Sequence, residues 1–258
     1  MAEWIVEDLG EVEVWTIDGA ARRNSITRAM LVGLHAELAR VAAKRQVRCV
    51  VLTGAGDRAF CAGADLKERA RMSADEVHAF HRDLRAGLRG LETSPKVFLA
   101  AVNGFALGGG FELALACDLR IMSSSAELGL PEVGLGIIPG GGGTQRLSRA
   151  VGVARAKDLV LTARRIDVVE ALAYGAVTRA APPEELRAAA LAMAGEEARN
   201  APISLRQAKR AIDGGFHLPL EEALDLENRL YQDCLATKDR VEALRAFAEK
   251  RKPVFTGE

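Results

Sequence analysis

The sequence has few aromatic residues, no excess of either charge and no long apolar run. Aromatic residues are only 5% of its 258 residues, so aliphatic and small side chains must fill the core. Basic and acidic residues number 35 each, which leaves no net charge to attract nucleic acid or an anionic membrane. No apolar run approaches the roughly 20 residues of a membrane-spanning helix, and the acidic start lacks a signal-peptide pattern. We therefore expect a cytoplasmic protein that binds neither nucleic acid nor a membrane.

Cysteine and histidine are also sparse. The four cysteines are far apart and form no CxxC pair: Cys49, Cys61, Cys117 and Cys234. This spacing predicts free thiols rather than a disulfide framework or a zinc site. His78 and His81 lie three residues apart on a polar segment, but no third ligand follows at a suitable spacing. No metal is expected.

Alternating strand and helix patterns fill the first part of the chain. Strands are predicted near residues 11–17, 47–53, 97–102 and 120–123, with helices up to about residue 41, at 74–91 and at 111–117. The alternation at 11–17 is typical of a half-buried strand. The recurrence of strand and helix indicates an α/β fold.

Beyond about residue 153 the pattern becomes helical. Helices are predicted at 153–162, 167–173, 184–199, 203–213, 219–235 and 238–249. We place a domain boundary near residue 200, which gives a core of residues 1–199 and a helical region of residues 200–258.

Two glutamates stand out because each is a lone acid in apolar, glycine-rich surroundings. Glu112 follows Gly108-Gly109-Gly110 at the predicted start of a helix, and Glu132 follows Pro131. Each acid alone is explained by its favourable place in a first helical turn. Together they fit one reaction type, in which one carboxyl handles a water and the other a proton on carbon.

Backbone amides are the second element of that chemistry. Three glycines at a helix start leave N–H groups free to hold an oxyanion, although tight packing explains them equally well. The segment 60–67 is read as a small-residue turn that could supply a second amide. The loop 139–146 lacks the lysine of a phosphate loop and is read as a flexible entry to a helix beside the site.

Three motifs together resemble the enoyl-CoA hydratase (crotonase) family. They are Ala62-Gly63-Ala64-Asp65-Leu66-Lys67, the run from Asn103 to Glu112, and Pro131-Glu132 followed by the run from Ile138 to Arg146. Their order and spacing match the family, and the resemblance extends to the segment 246–251. The segments 60–70 and 237–240 are similar to the methylglutaconyl-CoA hydratase branch.

The resemblance implies a fold and a set of site residues. The fold is an α/β spiral of ββα units with a helical C-terminal trimerisation region. The amides of Ala64 and Gly109 would form the oxyanion hole, and Glu112 and Glu132 would be the catalytic acids. Residues expected to contact coenzyme A or the substrate are Arg22, Arg23, Ala62, Asp65, Leu66, Lys67, Gly140, Phe247 and Lys250, the last two from a neighbouring subunit.

The resemblance also implies a function. The presence of both glutamates favours a hydratase over the family's isomerases, which often lack one of them. The expected substrate is 3-methylglutaconyl-CoA, with a short-chain crotonyl-type hydratase or, less favoured, an enoyl-CoA isomerase as the alternatives. No cofactor is expected apart from the coenzyme A of the substrate, and the expected assembly is a homotrimer or a hexamer. One relative in this branch binds RNA through a lysine-rich first helix, which has no counterpart at residues 28–40.

Overall fold

The computed structural model describes residues 3–258, apart from the side chain of Glu3. Ten strands occur in these residues: β1 (Glu3–Asp8), β2 (Val12–Asp18), β3 (Cys49–Gly54), β4 (Ala59–Cys61), β5 (Val97–Val102), β6 (Phe105–Leu107), β7 (Leu119–Ser123), β8 (Leu128–Gly129), β9 (Arg165–Ile166) and β10 (Arg179–Ala181). Eleven α-helices occur in the same residues: α1 (Arg28–Ala43), α2 (Leu66–Arg69), α3 (Ala74–Thr93), α4 (Gly109–Ala116), α5 (Gly143–Val151), α6 (Val153–Thr162), α7 (Val168–Tyr174), α8 (Leu186–Ala198), α9 (Pro202–Gly215), α10 (Leu220–Leu235) and α11 (Lys238–Ala248).

The strands form two sheets that are wound together. The large sheet has the order β1-β2-β3-β5-β7-β10 and is parallel except for the β1–β2 pair. The small sheet has the order β4-β6-β8-β9, with β4, β6 and β8 parallel. In the pairs β3–β4, β5–β6 and β7–β8, the first strand joins the large sheet and the second joins the small sheet. Each pair is followed by helix, so the chain advances as a spiral of ββα units.

The central strands of the large sheet are buried on both faces. One face carries Trp15, Leu52 and Phe98 toward the small sheet, in one apolar cluster. The other face packs against α8, in a second cluster that includes Val14 and Leu99. The prediction of a half-buried strand at 11–17 is therefore wrong. The alternating polar residue Glu13 is fully buried as well, where Arg40 and Lys44 donate to its carboxylate.

The helices begin where side chains satisfy their first amides. Thr27 accepts a hydrogen bond from the amide of Met30 at the start of α1, and Ser73 forms a reciprocal capping box with Glu76 at the start of α3. Pro202 occupies the first turn of α9, where its missing N–H costs nothing. These local signals explain why the predicted helices agree closely with the observed bounds.

The C-terminal helices α9, α10 and α11 follow the spiral, and the predicted boundary at residue 200 falls between α8 and α9. The division into two domains stays a prediction. Helix α9 is fastened to the spiral by Lys209, whose Nζ lies 2.9 Å from Asp118 Oδ2 and also donates to the carbonyls of Leu91 and Lys96. Among residues 3–258, no helix is both long and apolar enough to cross a membrane.

Candidate active site

The small sheet brings three distant segments of the chain to one edge. Because β4, β6 and β8 are parallel neighbours, their carboxyl ends lie side by side. Ala64 follows β4, Gly109 follows β6 and Glu132 follows β8. The carboxyl edge of a parallel sheet is the usual place for a ligand site in α/β proteins. The short strands therefore account for the convergence of the predicted residues.

The amides of Ala64 and Gly109 are neighbours at this edge. A Cβ built on Gly109 would lie 3.8 Å from the amide nitrogen of Ala64. The segment around Ala64 is fixed by a parallel bridge to Ile26, in which the amide of Asp65 donates to the Ile26 carbonyl at 2.9 Å. Gly63 has a φ of +88°, a conformation that favours glycine. Within the described part of the chain, neither amide donates to a protein acceptor, so both are available to an oxyanion.

Glu112 lies in the first turn of α4 and is 2% exposed. Its Oε1 accepts a hydrogen bond of 2.7 Å from the amide of Gly143, at the start of α5. Burial raises the pKa of Glu112, and the backbone amides of residues 141–143 together with the charge of Arg146 act against that rise. Glu112 is thus not the unpaired acid that the sequence indicates, but a carboxyl held in a fixed orientation.

Glu132 lies in the first turn of a short 3-10 helix, Pro131–Leu135, and its Oε2 has no hydrogen-bond partner among the described residues. Burial, and to a smaller extent the negative charge of Glu112, raise the pKa of Glu132 to about 7. Gly108 lies against it, since a Cβ there would be 3.0 Å from Glu132 Oε1. A large fraction of this carboxyl is therefore protonated at neutral pH.

Arg146 fixes the loop that holds Glu112. Its guanidinium donates to the carbonyl of Gly141 and to the carboxylate of Glu92 on α3. Gly141 in turn lies against Glu112, because a Cβ there would be only 2.5 Å from Glu112 Oε2. The predicted flexible entry to a helix is therefore a loop held at both ends, by Arg146 and by the Glu112–Gly143 hydrogen bond.

The two carboxyls differ in the way that acid–base chemistry requires. Burial raises the pKa of both carboxyls, but at Glu112 backbone amides and the charge of Arg146 oppose the rise, whereas at Glu132 the negative charge of Glu112 adds to it. A carboxylate can orient and deprotonate a water, and a neutral carboxyl can deliver a proton to carbon. With two free amides nearby, the arrangement can also hold a negatively charged oxygen.

The residues predicted to bind coenzyme A near α2 are in one neighbourhood. Asp65 caps α2 by accepting from the amides of Lys67 and Glu68, and it is 3.3 Å from the guanidinium of Arg22. Leu66 and Lys67 are exposed at the surface. The buried Asp65 carboxylate is therefore occupied within the protein, while Leu66 and Lys67 remain accessible.

The other predicted contacts are more scattered. The amide of Ala62 donates to the carbonyl of Arg23, which places the Arg23 backbone beside the same segment. Phe247 is 86% exposed near the end of α11, and Lys250 follows it with a φ of +53°. No hydrogen bond in the described residues joins Phe247 or Lys250 to the two glutamates. Gly140 lies against the imidazole of His81, since a Cβ there would be 2.5 Å from His81 Cε1.

Four residues of this site were not found by sequence reasoning. The Gly143 amide, Arg146 and Glu92 hold Glu112 or its loop, and His81 packs on Gly140. In the sequence, Gly143 and Arg146 were noticed only as parts of the Gly-Thr-Gln-Arg motif of the family resemblance. Among the described residues, no group of three or more His, Cys, Asp or Glu side chains is arranged to hold a metal ion.

Known proteins of one family resemble this chain over nearly its whole length. Residues 10–258 match the family model described as enoyl-CoA hydratase/isomerase. A short-chain-enoyl-CoA hydratase of Clostridium acetobutylicum is 42% identical over 248 residues, covering 96% of this chain and 95% of that protein. A mitochondrial methylglutaconyl-CoA hydratase of Rattus norvegicus is 42% identical over 251 residues, covering 96% of this chain and 80% of that protein.

A solved structure gives the same result for the fold. The crystal structure of an enoyl-CoA hydratase from Bacillus anthracis superposes with a TM-score of 0.98 at 44% identity, covering 99% of this chain and 100% of that chain. The expected crotonase-like spiral is confirmed by this likeness.

Proposed function

The chain belongs to the enoyl-CoA hydratase/isomerase family, and from that premise we propose that it adds water to 3-methylglutaconyl-CoA to give 3-hydroxy-3-methylglutaryl-CoA. It is an enzyme of the hydro-lyase class that acts on an acyl-CoA thioester. The observation that carries the assignment of hydration is the pair of buried carboxyls, one oriented by the Gly143 amide and one with a pKa of about 7.

In this mechanism the thioester oxygen accepts hydrogen bonds from the amides of Ala64 and Gly109. These bonds draw electron density from the conjugated double bond, so that Cβ becomes electrophilic. As water attacks, negative charge accumulates on the thioester oxygen, where the two amides stabilise it. One such donor contributes roughly 10²–10³-fold in rate.

Glu112 takes a proton from the attacking water, whose oxygen forms the new bond to Cβ. Glu132 gives its proton to Cα, which closes the addition. The reaction leaves Glu112 protonated and Glu132 ionised, so a proton must exchange with solvent before the next turnover. The assignment of roles is supported by the environments, because the amides at residues 141–143 favour the anion of Glu112 and none of them reaches Glu132.

The test replaces each acid with its isosteric amide. We expect Glu112→Gln and Glu132→Gln each to lower kcat for hydration by at least about 10²-fold, measured as loss of the ultraviolet absorbance of the conjugated thioester. Thermal midpoints compared with wild type show that both variants are folded. Near wild-type turnover in either variant would contradict the two-carboxyl mechanism.

A short-chain, crotonyl-type hydratase is the second candidate, because relatives with that name and with the methylglutaconyl name are equally similar at 42% identity. The two candidates share one mechanism and differ in the acyl group. The ratio of kcat/KM for 3-methylglutaconyl-CoA and crotonyl-CoA decides between them. A ratio below one would favour the short-chain assignment.

We further propose that the enzyme assembles as a homotrimer or a hexamer in which α10 and α11 form contacts between subunits. These helices expose several large apolar side chains that the chain itself leaves uncovered: Leu220, Leu224, Tyr231, Val241, Leu244 and Phe247. Surfaces of this kind are typical of interfaces. Native mass spectrometry should give three or six chains, and a monomer would contradict the proposal.

The predicted contacts of Arg22, Arg23, Ala62, Leu66, Lys67 and Gly140 with the substrate, and of Phe247 and Lys250 with a neighbour's coenzyme A, stay proposals. Two of the predicted cations, Arg22 and Lys67, flank the α2 cap at Asp65, which suits a phosphate-bearing ligand. We propose no separate cofactor. The cytoplasmic location stays a prediction, because the relatives include bacterial and mitochondrial proteins.

A further inference from the structure

A small cavity lies where the start of α9 and the C-terminal tail meet the amino edge of the large sheet. Its volume is about 150 Å³. Residues 45–48 precede β3, residues 95–96 precede β5, residues 202–206 begin α9, and residues 256–257 belong to the tail. The active-site segments instead follow the strands of the small sheet, and none of the residues that line the cavity belongs to that site.

The ionisable groups that line the cavity are all cations: Arg45, Arg48, Lys96 and Arg206. Arg48 is paired with Glu11 at 3.0 Å. Among the side chains that the structure describes, no carboxylate lies within ion-pair distance of the other three cations. The cavity therefore concentrates positive charge that the protein itself does not neutralise.

Lys96 is the buried member of this set, with 7% of its surface exposed. Its Nζ donates to the carbonyl of Lys44 at 2.7 Å, which uses one of the three N–H bonds of an ammonium. Burial first, and then the charge of Arg206, lower the pKa of Lys96, while Glu13 opposes them to a smaller extent. A buried cation without a countercharge destabilises a fold, and an anion in the cavity would supply that countercharge.

The first turn of α9 adds donors to the same place. Pro202 and Ile203 line the cavity, and Ala201 provides no side-chain cap for the helix. Within the described part of the chain, the amides of Ile203 and Ser204 have no acceptor. The start of a helix favours an anion because of these free amides and the helix dipole, so this turn and the cations act in the same direction.

The C-terminal tail is held in place at the cavity. Asp239 accepts hydrogen bonds of 2.7 Å and 2.9 Å from the amides of Thr256 and Gly257. A Cβ on Gly257 would lie 3.0 Å from Pro202 Cγ, so the tail packs directly on the start of α9. The nearby acid of the tail region is thus already bound to amides and leaves the cavity cations without a partner.

We propose that this cavity binds a tetrahedral oxyanion of the phosphate class, held by Lys96, Arg45 and Arg206 and by the first amides of α9. Its volume is below the roughly 300 Å³ at which pockets begin to accept drug-sized ligands. The ligand is therefore free phosphate rather than a nucleotide or coenzyme A. The bound anion joins α9 and the tail to the spiral. This binding site is separate from the proposed hydration site.

The test titrates inorganic phosphate into the full chain at constant ionic strength, with saturating coenzyme A so that the substrate site is already filled. Calorimetry should show phosphate binding to wild type, and the thermal midpoint should rise by about 3 °C or more near saturation. Arg206→Gln should bind phosphate about tenfold more weakly, the usual effect of losing a hydrogen bond to a charged group. Hydrogen exchange in α9 and the tail should slow when phosphate is added to wild type.

Two further variants separate the site from general effects of the salt, since phosphate also stabilises proteins by exclusion from their surface. Lys96→Met should lose phosphate binding and, without phosphate, be at least as stable as wild type, because it removes a buried charge. The matched control is Arg210→Gln, one turn further along α9, where the side chain donates to Gln207 outside the cavity. It should bind phosphate as wild type does.

Four results would overturn the inference. They are no phosphate binding by wild type, equal losses in Arg206→Gln and Arg210→Gln, phosphate binding only when coenzyme A is absent, and weaker binding of coenzyme A to Arg206→Gln. The last two would assign the anion to the substrate site. Crotonyl-CoA hydration should be unchanged in Arg206→Gln. Phosphate binding in an enzyme that hydrates no substrate would overturn the proposed function and leave this inference intact.

Discussion

Glu132 is held in an environment that would disfavour any ionised side chain. Its Oε2 is buried without a donor, and the nearby Glu112 adds negative charge. A fold normally avoids such a group, since an unpartnered buried polar atom destabilises it. Such an environment is expected where the proton on the Glu132 carboxyl takes part in the reaction.

The pH dependence of hydration follows from this environment. As a proton donor Glu132 acts in its neutral form, so kcat/KM should fall as the pH rises through about 7, the pKa of the group. The profile should be measured from pH 5 to 9 with crotonyl-CoA. Glu132→Gln should lack this basic limb as well as most of the activity. A wild-type rate that stays constant to pH 9 would show that Glu132 does not act as the acid.

Arg146 is a positioning residue, because it touches the Gly141 carbonyl rather than the reacting atoms. Arg146→Gln should lower kcat about 10- to 100-fold through displacement of the loop that orients Glu112. Loss of its charge should also raise the pKa of Glu112 further, which shifts the acidic limb of the pH–rate profile to higher pH.

The matched control for Arg146 is Arg149→Gln. Arg149 lies one turn further along α5, is exposed, and bonds only to Gln145 in the described structure. It should leave both kcat and the pH profile unchanged. A drop in activity for Arg146→Gln without any movement of the acidic limb would indicate a purely structural role.

The sequence drew attention to the two acids, because an ionisable residue among glycines and apolar residues is conspicuous, and both are buried in the structure. Their catalytic roles stay predictions. The sequence could not predict their partners. The hydrogen bond from Gly143 to Glu112 spans 31 positions and uses a backbone amide, which every residue except proline has. Arg146 was equally hidden, since nothing in its side chain indicates that its acceptor is the Gly141 carbonyl.

At the scale of elements, the contact between α4 and β4 sets the distance between the two amides. A Cβ on Gly110 would lie 1.9 Å from the carbonyl oxygen of Cys61, so the helix backbone is in direct contact with the strand. Only glycine permits this approach. This close approach fixes the position of the whole helix, because moving α4 outward would carry Gly109 away from Ala64.

Gly110→Ala should therefore destabilise the protein by about 3 kcal/mol or more, an overpacking effect that backbone atoms cannot relieve easily. Gly195→Ala is the control: this glycine lies in α8 with nothing within 4 Å of a built Cβ. That variant should be more stable than wild type by about 0.5–1 kcal/mol, since alanine is the better helix residue. Urea unfolding midpoints measure both. Equal midpoints for Gly110→Ala and wild type would contradict the packing argument.

The long helices were predicted well, because ten or more residues show a clear period and caps mark the helix ends. The four central strands of the large sheet, β2, β3, β5 and β7, were also predicted, whereas its outer strands β1 and β10 were not. The strands β4, β6 and β8 were missed. They contain two or three residues each, too few for any alternation to be visible. Their pairing depends on neighbours supplied by other units of the spiral, so the sheet that assembles the site is the part that local sequence does not specify.

At the scale of the whole molecule, Lys209 connects the C-terminal helices to the spiral. Its ammonium is buried against Asp118 and two carbonyls, and it lies 5.9 Å from the centre of the Phe98 ring. Asp118 is partly buried, which raises its pKa, and it accepts a hydrogen bond from the Phe98 amide. The connection joins α9 to both α3 and the large sheet.

Lys209→Met should destabilise the protein by about 3 kcal/mol, because the partly buried Asp118 would lose its countercharge. Hydrogen exchange should increase first in α9 and α10. Lys238→Met, which removes an exposed ion pair with Glu258, should have a much smaller effect, because solvent screens that pair. Equal effects of the two substitutions would show that Lys209 does not hold the helices to the spiral.

The order of the site residues along the chain determines when an active site can form during synthesis. Ala64 follows the β3–β4 pair, Gly109 and Glu112 follow the β5–β6 pair, and Glu132 follows the β7–β8 pair. The Gly143 amide that orients Glu112 comes after all of them in the chain. No nascent fragment that ends before residue 143 contains an oriented pair of acids. The emerging chain is thus expected to gain activity only after these three units have stacked, and catalytic activity reports the completion of folding more strictly than any measure of helix content.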